Sequence, residues 1–298
     1  MMEKFSLETT EGLRYGVKWL THDPIANIVI FEGMEEHASR YDKFALELNK
    51  EGYNVYSLDT FGQGENAIYD GLGIWPRHGF IKQVDIYGEL ASHLESTTKL
   101  PLYVFAHSMG SFMGQCFLER HPGKAKKIVL CGSGAKNPAL GIGHLLAKLL
   151  VHKGNENKKA KFLNKLMFAN LAKSVKDRET DYDWLSYNKE NVRKYIEDPL
   201  CGFGPTNGFC LSFIEGMCSL YKSKNLKKLD LDTKIFLIGG QEDPVTNMGK
   251  YTLYLNKMYT NRGVKEVSYK IYPSMRHEIL NEEEWMKVTI DIISFYNK

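Results

Sequence analysis

The chain has 298 residues, enough to bury one large core with an insertion or two modest ones. Its 39 lysines and arginines against 36 aspartates and glutamates leave a net charge of +3, so no strong field recruits an acidic partner, and nucleic-acid binding is not expected. The five cysteines, without a C-x-x-C pair or a zinc-type histidine partner, read as reduced thiols of a cytoplasmic protein, with no signal peptide and no run of roughly 18 apolar residues that spans a membrane.

The N-terminal segments Lys4–Thr9 and Arg14–Thr21 alternate polar and apolar residues around "TEG", which predicts a β-hairpin and an antiparallel start. A strand "NIVIFEG", a helix "RYDKFALELNKEG", a strand "NVYSLDT", a helix from about Val84 to Lys99 and a strand "LYVFAHS" follow. This alternation predicts βαβ units and an α/β fold whose mostly parallel sheet is covered on both faces. A helix from Met109 stops at "RHPG", and "KKIVLCG" supplies the next strand. From 135 to 224 the pattern breaks into helix-like runs without a convincing buried strand, an inserted helical subdomain. The α/β rhythm resumes with "TKIFLIGG", "MGKYTLYLNKMYTNR", "EVSYKIYP" and an amphipathic helix from Glu282 to Tyr296, so 1–134 and 225–298 form one core.

Ligands of such sheets bind at the carboxyl ends of the strands, and the residues there carry the chemistry. In His107-Ser108-Met109-Gly110 the chain turns sharply from strand to helix, the setting of a nucleophile elbow, although the first glycine of G-x-S-x-G is Ala106. The alternative is a serine that merely N-caps the next helix. A serine nucleophile needs a proton acceptor and a group to orient it, in the chain order serine, acid, histidine. Asp243 closes a later strand and His277 follows the last one, with Glu242 as the competing acid. The Met109 N–H and, after Gly33, the Met34 N–H supply the two oxyanion donors.

"FEGMEEHASRYDKFALELNKEGYNVYSLDTFGQGEN", "AHSMGSFM", "GGQEDPV" and "SMRHEILNE", in this order, resemble the serine α/β-hydrolases related to monoacylglycerol lipases and bacterial lysophospholipases. The resemblance implies the α/β-hydrolase fold, with 135–224 as a helical cap inserted in the core. It also implies Ser108 as nucleophile, His277 as base, Asp243 as its orienter, the same two amides as oxyanion donors, and no cofactor or metal. Glu36, His37, Arg40 and Tyr41 match the family's HG-x-x-EH-x-x-RY segment; Glu36 and Arg40 are spaced to pair and act as scaffolding. His107, Gly110 and Gly33 are neighbours of the reacting groups.

One position and one segment depart from the family pattern. Glu32 stands where the family has histidine, and its D-x-R-G-H-G-x-S segment is here Asp59-Thr60-Phe61-Gly62-Gln63-Gly64-Glu65-Asn66. A carboxylate at 32 aimed inward would repel a developing oxyanion, so Glu32 must point away, pair with a cation such as Arg40, or be protonated.

The expected substrates are monoacylglycerols, lysophospholipids or short acyl esters. The first half of the cap carries Lys136, Lys148, Lys153, Lys158, Lys159, Lys161, Lys165, Lys173 and Lys176 against one acid, Glu156, interleaved with apolar residues from Leu145 to Phe168. Transient contact with a lipid surface fits that pattern, but a cap packed on its own domain with a solvated lysine face is the preferred reading. Two other functions stay open: an aminopeptidase-type serine hydrolase, with Glu190, Glu197, Asp198 and Glu215 available to hold a substrate amino terminus, and an inactive binding protein. The oligomeric state is not legible in one chain.

Overall fold

The computed structural model describes residues 1–135 and 140–298. Eight strands, β1 (Met2–Thr9), β2 (Gly12–Trp19), β3 (Ala26–Phe31), β4 (Tyr53–Leu58), β5 (Leu102–His107), β6 (Lys127–Cys131), β7 (Lys234–Gly240) and β8 (Val267–Tyr272), form one sheet in the order β1-β2-β4-β3-β5-β6-β7-β8. The pairs β1–β2 and β2–β4 are antiparallel and the other five are parallel, the arrangement expected from the hairpin and the βαβ alternation. Every residue of β3, β4 and β6 is buried, because helices cover both faces; this is why these strands read as continuous rather than alternating apolar runs.

Helices α1 (Asp42–Lys50), α2 (Ala67–Asp70), α3 (Gly79–Thr98), α4 (Met109–Arg120), α5 (Leu140–Leu150), α6 (Lys161–Lys173), α7 (Lys189–Glu197), α8 (Asn207–Ser219), α9 (Ser223–Leu226), α10 (Lys250–Asn261) and α11 (Trp285–Asn297) complete the described chain, with short 3-10 turns between them. Val84, Leu90, Met113, Phe117 and Leu255 of α3, α4 and α10 pack on one side of the sheet. Phe44, Leu48, Val288 and Ile292 of α1 and α11 pack on the other. Each fully buried side chain of this size stabilises the fold by about 1.5–3 kcal/mol relative to exposure.

Helix α3 starts at Gly79, five residues before the expected Val84. The reason lies in another part of the chain: the Phe80 N–H, an orphan donor of the first turn, donates to Ser212 Oγ of α8 at 3.0 Å. Periodicity within 79–83 does not contain that partner.

Helices α5 to α9 lie between β6 and β7, and this stretch holds no strand among the described residues. Ala147, Ala160, Leu163, Cys210 and Ile214 form a small core of their own. Ile142, Leu145, Leu149, Phe162 and Leu166 nevertheless stay exposed, Leu149 at 74%. Lys136 lies outside the described residues, and so does the side chain of Phe168.

Candidate active site

Four strand ends meet at one rim: Gly33 and Met34 after β3, Ser108 after β5, Asp243 after β7 and His277 after β8. Ser108 has φ 51°, a left-handed conformation that costs a non-glycine residue about 1–3 kcal/mol and is kept where the surroundings enforce it. Its N–H donates to Cys131 O at 2.9 Å, and its side chain makes no cap bond to α4, so the helix-capping alternative does not describe this serine. The turn is tight enough that a Cβ at Gly110 would lie 2.1 Å from Phe31 O. The Ala106 methyl fits because Gly114 opposite has no side chain; a Cβ there would come within 3.0 Å of it.

His277 and Asp243 are both buried, with Nδ1 3.0 Å from Oδ2 in a contact that is off the line of a straight hydrogen bond. His277 Nε2 has no partner among the described residues, so it is free to take a proton from the cavity side. Burial opposes charge on this ring, but the Asp243 carboxylate outweighs it and raises the imidazole above its ordinary 6.5. The ring lies between His107, 4.8 Å away, and Trp184 of the inserted segment, 5.1 Å away. Burial, then the nearby His277, lowers His107 to about 3, so it stays neutral. Glu242 is exposed and bonds the Tyr187 hydroxyl, leaving Asp243 as the acid beside the imidazole.

On the opposite side, the loop after β3 is gripped from two directions. Glu36 Oε1 accepts the Gly33 N–H at 2.6 Å and the Tyr41 hydroxyl at 2.7 Å. Gln63 Nε2 donates to Gly33 O at 3.0 Å, and Gln63 Oε1 accepts the Glu35 N–H at 2.6 Å. The Met34 and Met109 amides make no hydrogen bond among the described residues. Glu32 does not pair with Arg40. It turns away from the cavity toward the end of β4, where Oε1 accepts from Thr60 N at 2.7 Å and Gln63 Nε2 at 2.9 Å. Burial and the charge of Asp59 push Glu32 well above the ordinary carboxylate range. Burial raises Asp59 too, and the N–H groups of Ala38 and Glu65 oppose that rise.

Arg40 instead joins two acids. It donates to Glu36 at 2.6 Å, four residues earlier, and forks onto both oxygens of Glu278 at 2.8 Å. Burial raises Glu278, but Arg40 more than reverses this and brings it to about 2. Glu278 and Glu35 escaped the sequence reading, and Gln63 entered it only as part of a segment that departs from the family pattern. The position of Glu278 beside His277 was a usable signal, whereas Glu35 and Gln63 gain meaning only from their contacts.

The loop carrying His277 is fastened to 183–191. Arg276 donates to Asp183 O at 2.7 Å, Glu278 N to Leu185 O at 2.7 Å, and Ser186 Oγ to Glu282 at 2.7 Å. Beneath the inserted helices, a cavity of about 1140 Å³ is lined by Ser108, His277, Met34 and Met109, and by apolar groups including Phe112, Phe213 and Met217. None of Glu190, Glu197, Asp198 and Glu215 lines it; Glu35, Glu36, Asp181 and Glu278 do. His37, Asp198 and Cys201 offer three donor atoms within 4.8 Å of one another, outside that lining, but burial pushes the Cys201 thiol up and disfavours the thiolate a metal takes.

The profile of the family described as serine aminopeptidase, S33, matches residues 22–284. A monoacylglycerol lipase of Mycolicibacterium smegmatis is 26% identical over 275 residues, 92% of this chain and 88% of that protein. Lysophospholipase L2 of Escherichia coli is 31% identical over 114 residues, 37% of this chain and 32% of that protein. The crystal structure of a thermostable carboxyl esterase from Bacillus coagulans superposes with a TM-score of 0.91 at 23% identity, covering 99% of this chain and 98% of that one, a likeness of fold.

Proposed function

The chain belongs to the serine aminopeptidase S33 family and has the α/β-hydrolase fold, and from that premise we propose that it hydrolyses carboxylic esters through an acyl-enzyme on Ser108. The observation that carries this reading is the strained, uncapped Ser108 lining one cavity with His277, whose other nitrogen faces Asp243. His277 Nε2 takes the Ser108 proton as Oγ attacks the carbonyl, Asp243 stabilises the imidazolium, and the Met34 and Met109 amides receive the oxyanion. The imidazolium then protonates the departing alcohol. Water, deprotonated by the same ring, attacks the acyl-enzyme and regenerates Ser108. These steps use only side chains and backbone amides of this chain.

The substrate is a monoacylglycerol, a lysophospholipid or a short acyl ester. The helical cap at 135–224 roofs the site, and its apolar lining takes the acyl chain. The related lipases, and the absence of all four candidate amino-terminus carboxylates from the lining, favour esters over aminoacyl substrates. Labelling by a fluorophosphonate probe, lost in Ser108→Ala, tests the nucleophile. A series of p-nitrophenyl esters tests the acyl site: at about 0.8 kcal/mol per buried methylene, each added carbon lowers KM about fourfold until the cavity fills. Faster turnover of aminoacyl anilides than of any ester sinks the ester reading.

The exposed apolar side chains of α5 and α6, set among lysines, favour transient contact of the cap with an anionic lipid surface by a protein that resides in the cytoplasm. No helix among the described residues is long and apolar enough to cross a membrane. Co-sedimentation with anionic vesicles, reduced by reversing the charges of Lys158, Lys159 and Lys161, tests the contact; no sedimentation of the wild type dismisses it.

A further inference from the structure

Two of the positions at which the sequence departs from its family pattern, Glu32 after β3 and Gln63 after β4, touch each other at 2.9 Å. Gln63 is fully buried and uses its whole amide: Nε2 donates to Glu32 Oε1 and to Gly33 O, while Oε1 accepts from Glu35 N. The flipped amide would set oxygen against two oxygens, so its orientation is determined. The peptide that Gln63 holds by its carbonyl joins Gly33 to Met34. In a trans peptide, C=O and N–H point in opposite directions, and no peptide among the described residues is cis. Holding Gly33 O toward Gln63 therefore turns the Met34 N–H away from it, toward the cavity that Met34 lines.

We propose that Gln63 is a positioning residue that aims the Met34 amide at the reacting carbonyl, with Glu32 as its fixed partner. The inference rests on the ester-hydrolase reading above. Glu32 accepts from Thr60 and Gln63 through one oxygen, its other oxygen is buried without a hydrogen-bond partner, and burial beside the charge of Asp59 favours the neutral acid. A neutral group here gives the oxyanion no opposing charge. The ionisable groups around the clamp, among the described residues, are Glu32 and Asp59, Glu35, whose N–H Gln63 accepts, Glu36 and Tyr41 at the N–H of the same glycine, His107 beside it, His37 near Asp59, and Tyr87 of α3.

The test is Gln63→Glu, equal in size, in which a carboxylate faces the Gly33 carbonyl but still accepts from Glu35 N. Ester hydrolysis is followed from pH 5 to 9 beside the wild type. The expected result is a kcat about 10- to 100-fold lower at pH 8 with KM unchanged, short of the 10²–10³ lost when an oxyanion donor is removed outright. The ratio of variant to wild-type kcat should rise as pH falls, because the protonated carboxyl can donate again. A variant with wild-type kcat, or one whose deficit is the same at every pH, overturns the proposal. Gln63→Met, similar in size but without a donor, gives a second reading should that variant not fold: its kcat should fall about 10- to 100-fold at every pH with KM unchanged, and wild-type kcat overturns the proposal. A wild type that cleaves no ester and takes no fluorophosphonate refutes the ester-hydrolase reading itself, a result distinct from either variant outcome.

Discussion

Arg40 holds Glu278 through two 2.8 Å hydrogen bonds across 238 residues of chain, and Glu278 is the residue next to His277. The same guanidinium reaches Glu36, which grips Gly33. One buried cation thus fixes the loop of the proposed base relative to the loop of the proposed oxyanion amide.

Arg40→Met leaves two buried carboxylates without their cation and should cost about 3–5 kcal/mol of stability at pH 7. Glu278 is depressed to about 2 in the folded protein from an ordinary 4.5, so its stabilisation is present above 4.5 and is lost as pH falls toward 2. Thermal melts should therefore show a wild-type advantage that shrinks from pH 6 to pH 3. A deficit of equal size at both pH values contradicts this assignment.

The pH dependence of kcat/KM should have its acid limb above 6.5, because the Asp243 carboxylate raises His277 and only the neutral ring accepts a proton. Activity rises with pH through that limb. Asp243→Asn should lower kcat by about 10⁴-fold and move what remains of the limb to lower pH, as measured with a chromogenic ester. An unmoved limb would mean that another group titrates.

Gly132, at the end of β6 with φ 61°, leaves room for the His277 ring; a Cβ there would lie 2.9 Å from its Cε1. Gly132→Ala should displace the imidazole and lower kcat by about 10²-fold, the scale of a 1 Å misplacement, with a smaller change in KM. Wild-type kcat in a folded variant argues that the ring has space to spare.

All five cysteines are free, and burial pushes the Cys116 and Cys210 thiols up to about 12. Native protein treated with a thiol reagent at pH 7.5 should react slowly, first at the partly exposed Cys218, and keep its esterase activity. Denatured protein should yield all five thiols. Rapid inactivation of the native protein would place a reactive cysteine near the cavity.

The strands were legible because a doubly covered parallel sheet demands continuous apolar runs, and the positions of Ser108, Asp243 and the proposed base His277 because each follows the end of one. Glu36 with Arg40 was legible as a one-turn spacing. Arg40 with Glu278, and Gln63 with Glu32, were not: 238 and 31 residues separate them, and each pair exists only after the sheet aligns its ends. The early start of α3 was hidden for the same reason, since the acceptor for its first turn comes from 132 residues downstream.

The bonds between 183–191 and the loop of His277 divide the roof into unequal halves. Lifting the 183–191 side would pull Arg276 and Glu278 with it and carry the imidazole out of line, so a cavity opened there is a cavity without its base. Helix α5 packs instead on the inserted segment's own core with α8, whereas α6, packed on that core too, also meets 183–185. A roof pinned in this way would admit an acyl chain most readily beside α5, where Ile142, Leu145 and Leu149 are exposed at the threshold.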